Sequence, residues 1–112
     1  MLAQSLMDEI MAQQFENPTF PTFGPEAGET SRSTFNDVDD YYNYTESPPK
    51  NLDGSTISNM TGWARSVDVG WADPTNLNKN INTDSGIKRI VVTVTKNGQT
   101  IATRAGLRVR AP

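Results

Sequence analysis

Asn97-Gly98 constrains this chain more than any other pair of residues. It sits between two long runs, Ile87–Lys96 and Gln99–Val109, in which apolar and polar residues alternate. Asn-Gly suits the positive φ angles of a two-residue type I′ turn, so the pattern predicts an antiparallel hairpin. Counting outward from the turn sets Val94 opposite Ile101, Val92 opposite Thr103 and Ile90 opposite Ala105, which brings the apolar faces of the two strands together. Arg89, Val91, Thr93, Thr95, Arg104 and Arg108 are then expected on the other face, toward solvent or a partner.

A third strand is expected from Gly62 to Trp71, where Trp63, Val67, Val69 and Trp71 alternate with Ala64, Ser66 and Asp68; Arg65 interrupts the apolar face. Asp73-Pro74 and the Asn-rich run up to Asp84 predict a polar loop, with Gly86 as a second stop. At the other end, Leu2, Ala3, Leu6, Met7, Ile10, Met11 and Phe15 recur at helical spacing, which predicts a helix over 2–15 that Asn17-Pro18 terminates. Residues 17–61 are rich in Pro, Gly, Ser, Thr and Asn and predict an irregular excursion. Its aromatic residues, among them Phe20, Phe23, Phe35, Tyr41, Tyr42 and Tyr44, are numerous enough to pin it to a core. The whole, residues 1–112, is expected to be one α+β domain: an N-terminal helix packed on a C-terminal antiparallel sheet over 62–110, with the loop region between them.

The residue inventory narrows the chemistry. The chain has no Cys and no His, which excludes thiol catalysis, disulfides, imidazole base chemistry and most zinc or haem sites. The densest cluster is Asn36-Asp37-Val38-Asp39-Asp40, whose hard oxygen ligands suit Ca²⁺. The bend Gly and distal Glu of an EF-hand loop are missing, so a solvated turn is the competing reading. Asp37, Asp39, Asp40 and Glu46 are the carboxylates from which a glycosidase pair would be drawn, but the small core predicts no substrate cleft, and no enzyme activity is expected. Asn43-Tyr44-Thr45 and Asn59-Met60-Thr61 match the glycosylation sequon. Gly24 and Gly28 lack the Lys and the strand-to-helix pattern of a phosphate loop.

Charge is divided unevenly: residues 1–60 hold ten acids and two bases, residues 61–112 three acids and eight bases. Opposite faces of one domain, or a head-to-tail contact between subunits, explain this better than a nucleic-acid site, since the bases are interleaved with strand residues and lack a stacking cluster. No run of 18 apolar residues occurs and no leader precedes the helix, so the chain as given is expected to be soluble.

Three stretches carry a family resemblance. Leu2-Ala3-Gln4-Ser5-Leu6-Met7-Asp8-Glu9-Ile10 resembles the segment that follows the membrane-embedded half of the long helix in prepilin-type proteins, the minor pilins and type II secretion pseudopilins. Phe35-Asn36-Asp37-Val38-Asp39-Asp40-Tyr41 is similar to the "FDDVDDY" stretch of a subgroup that includes minor pilins of the mannose-sensitive haemagglutinin kind. Gly86-Ile87-Lys88-Arg89-Ile90-Val91-Val92-Thr93-Val94 resembles a following strand that often reads "KRITVTV". Together they span about a quarter of the chain. The resemblance implies a filament subunit whose partners are other pilin or pseudopilin subunits, with Leu2, Leu6, Met7, Ile10 and Met11 making helix contacts and Asn36–Asp40 facing neighbours or a cation. It also implies an extracytoplasmic location, with membrane attachment through a segment upstream of Met1. A free-standing module that binds a protein or glycan is the alternative. The two differ in the helix stripe, which a free module is expected to bury against its own sheet.

Overall fold

The computed structural model describes residues 2–16 and 31–110; Asn17-Pro18, Phe20, Phe23 and the rest of the excursion up to Thr30 lie outside the described residues. The elements are α1 (Leu2–Met11), two 3-10 turns (Arg32–Thr34 and Val38–Tyr41), β1 (Thr45–Glu46), β2 (Trp63–Asp73), β3 (Asn76–Ile81), β4 (Ile87–Lys96) and β5 (Gln99–Val109). The strands form one antiparallel sheet in which β1, β2, β4 and β5 are neighbours in that order and β3 pairs with β2.

The α+β expectation needs correction. The chain is mostly antiparallel sheet, with a single ten-residue α-helix among the described residues. Two differences from the expected elements accompany the shift. The predicted helix over 2–15 stops at Met11: the Gln13 amide bonds the Ile10 carbonyl at 3.0 Å, an i to i−3 closure, and the Arg108 guanidinium takes the carbonyls of Met11 and Gln13 at 2.8 and 2.6 Å. Phe15 thus leaves the helix and meets Trp71, ring centroids 6.2 Å apart. The predicted polar loop also contains a strand. β2 runs on to Asp73, whose carboxylate accepts the Thr75 amide and hydroxyl at 2.9 and 2.8 Å and turns the chain back, so that Ala72 pairs with Asn80 and Trp71 with Ile81.

The hairpin forms where Asn97-Gly98 sets it, with φ of 51° and 82° at the two residues. Its register differs from the simple count. Lys96 faces Gln99 and Thr95 faces Thr100, but Val94 then faces Ala102, leaving Ile101 as an extra residue in a β-bulge. Beyond the bulge Val92 faces Arg104 and Ile90 faces Gly106, so every β5 side chain from Ala102 onward is on the opposite face from the one expected. Arg104 and Arg108 lie on the helix side and Ile101 is 53% exposed.

On that side Ala3, Leu6, Met7 and Ile10 of α1 pack against Val67, Val69, Ile90, Val92 and Val94, joined by Phe35, Val38 and Tyr41 from the excursion. Full burial of each aliphatic side chain stabilises by about 1.5–3 kcal/mol. Gly106 permits the close approach of helix to sheet: a Cβ there would meet the Met7 sulfur at 3.3 Å and the Met11 sulfur at 3.6 Å. No helix among the described residues is long and apolar enough to cross a membrane.

Candidate functional site: two buried charge clusters

Both clusters arise where the excursion is locked to the sheet. The first is centred on Glu46 of β1, almost fully buried. Its carboxylate accepts Arg32 Nη1 at 3.1 Å, Arg65 Nε at 2.7 Å, the Tyr44 hydroxyl at 2.6 Å and the Lys50 amide at 3.0 Å, and it also contacts Arg65 Nη2. Arg32 extends the cluster to the helix, with its Nε 3.0 Å from Glu9 Oε2 and its Nη2 against Glu9 Oε1. The Tyr41 hydroxyl donates to Glu9 at 2.8 Å. Both guanidiniums also donate to the Lys50 carbonyl, at 2.6 and 2.7 Å. Two carboxylates thus meet two guanidiniums, and the formal charges cancel.

The electrostatics follow from this arrangement. Burial works to raise the Glu46 carboxyl, but hydrogen bonds from Tyr44, the Lys50 amide and Arg65 outweigh it and hold the group below the usual carboxylate range. Burial, reinforced by Glu9 and Glu46 respectively, pushes the Tyr41 and Tyr44 hydroxyls well above their ordinary value. Burial opposes the charge on Arg32, and the bond and field of Glu9 overcome it.

The second cluster is built on the Val38–Tyr41 turn. Asp37 caps the turn, accepting the Asp40 amide at 3.1 Å, while Asp40 Oδ2 accepts the amides of Asn36 and Asp37 at 2.8 and 3.2 Å. These reciprocal bonds hold the side chains of Asp37 and Asp40, and Asp37, Asp39 and Asp40 each offer a carboxylate oxygen within 4.8 Å of the others'. All three are at most 1% exposed. Lys88 of β4, equally buried, donates from Nζ to Asp39 Oδ1 at 2.8 Å and to the Phe15 carbonyl, and sits 4.1 Å from the centroid of the Phe15 ring.

Of the four ligands expected for a cation, the structure brings together Asp37, Asp39 and Asp40 and leaves the Asn36 side chain exposed. None of these aspartates, nor Glu46, lines the broad solvent-open groove bounded by Tyr42, Asp68, Gly70, Trp71, Asn80 and Asn82. Of the helix residues expected at an interface, Leu6, Met7 and Ile10 are buried in the chain's own core, and Leu2 and Met11 are partly buried beside it. Sequence reasoning missed Arg32, Glu9 and Lys88 altogether. The one hint at the Glu46 cluster was Arg65, a charge on an otherwise apolar strand face. Comparison of the chain with protein-family models, with curated proteins and with solved structures gives no match.

Proposed function

We propose that this chain is a non-catalytic assembly subunit, the extracytoplasmic head of a minor pilin or pseudopilin in a type IV pilus or type II secretion filament. The observation that carries the reading is a convergence. The three stretches that resemble prepilin-type proteins lie far apart in sequence and meet in space: α1 packs on β4, the Asn36–Asp40 turn packs beside both, and Lys88 of the third stretch grips Asp39 of the second. The reading rests on this contact set and does not require a long helix.

The test is photo-crosslinking in source cells from Gln4 and Asp8, exposed positions on α1, together with deletion of the gene. Crosslinks to prepilin-type subunits and a loss of filaments or secretion are expected. Intact filaments after deletion, with no such crosslink, would overturn the assignment. One observation favours the free-standing binding module instead: the stripe of α1 is buried against its own sheet. That reading is supported if the crosslinks reach only proteins outside any filament.

A further inference from the structure

We infer that Asp37, Asp39 and Asp40 bind one hard divalent cation, Ca²⁺, within the fold, an inference that stands independently of the filament reading. Three observations combine. The first is geometry: oxygens that share one Ca²⁺ at about 2.4 Å lie at most about 4.8 Å apart, and the three carboxylates each present an oxygen within 4.8 Å of the others. The second is an orphaned atom. Asp40 is 0% exposed, and its Oδ1 has no hydrogen-bond partner among the described residues, although its other oxygen accepts two backbone amides. Native proteins rarely leave a buried carboxylate oxygen unsatisfied, because it forfeits its hydration without replacement.

The third observation is charge. Three carboxylates share the site with the Lys88 ammonium, which donates to Asp39 at 2.8 Å. The formal sum is −2, which one dication neutralises. Backbone donors already fix the carboxylates of Asp37 and Asp40, so the ligands are held in place before the ion arrives. Asp37, Asp39 and Asp40 supply the protein ligands, and the exposed Asn36 side chain takes no part.

The experiment uses the purified chain, stripped with chelator, returned to Ca²⁺ or to Mg²⁺, and followed by thermal unfolding and by metal analysis after gel filtration. One retained Ca²⁺ per chain and a rise in Tm of at least about 5 °C at saturating Ca²⁺ are expected. Asp40→Asn preserves an acceptor for the two backbone amides and places an amide where the orphaned oxygen stood. It should fold, lose the Ca²⁺-dependent rise and retain no metal. Identical Tm in Ca²⁺ and chelator with no metal retained by the native chain overturns the inference, whatever the variant does. An equal response to Mg²⁺ overturns the assignment to Ca²⁺, and an undiminished response in Asp40→Asn overturns the assignment to these residues.

Discussion

The two buried clusters differ in one decisive respect. Around Glu46, two carboxylates face two guanidiniums and each Glu46 oxygen has donors. Around Asp39, three carboxylates face one ammonium, and an oxygen of Asp40 has no donor among the described residues. Burial alone therefore does not mark a site. A balanced, saturated cluster is a clamp that ties Arg32 and β1 to the helix and to β2, whereas an unbalanced one with an orphaned acceptor asks for a further cation.

The comparison can be broken first at Glu46. Glu46→Gln leaves two buried guanidiniums short of a counter-charge and should cost about 3–5 kcal/mol in urea unfolding. A loss under about 1 kcal/mol would show that the cluster is not a clamp. Tyr44→Phe removes one hydrogen bond to that carboxylate and should cost about 1.5–3 kcal/mol by the same measurement.

The pH profile sharpens the same point. Because the folded carboxyl of Glu46 is held below its unfolded value, its contribution is present above about pH 4.3 and is lost as pH falls through the folded pKa. Glu46→Gln should accordingly show a shallower acid loss than the native chain. On the alkaline side, the raised Tyr41 and Tyr44 hydroxyls keep their protons when the unfolded chain begins to lose its own near pH ~10, so stability should fall as pH rises beyond that point. Tyr44→Phe should blunt that fall. The smallest effect is expected at the other cluster: in chelator, Asp40→Asn should change stability by less than about 1 kcal/mol, since it removes a charge from an over-acidic pocket. A loss as large as that of Glu46→Gln would erase the distinction between the two clusters.

Local pattern sufficed wherever the cause was local. The Asn97-Gly98 turn, the alternation of β4 and the apolar stripe of α1 were legible because period and turn chemistry are written in neighbouring residues. β3 was not, because Asn76–Ile81 carries no apolar alternation and pairs only through the turn that Asp73 closes. The α1 terminus was misplaced because Arg108, nearly a hundred positions away, takes its last carbonyls.

At the candidate site, the aspartates stand within four residues of one another, so their convergence could be read from the spacing of oxygen ligands, whereas the exposure of Asn36 could not. The partners of Glu46 could not be read: Arg32 and Arg65 lie 14 and 19 residues away, and charge carries no pairing code along a chain. The sequence by itself therefore determined the hairpin, the amphipathic helix and the acidic turn, each an expression of short-range sterics and periodicity. Tertiary structure alone decided the β5 register, the strand-rich balance of the fold and the sorting of charges into a clamp and an unbalanced pocket. A bulge at Ile101 reverses which face β5 presents without altering its composition, and ion pairing depends on distances that only the folded backbone sets.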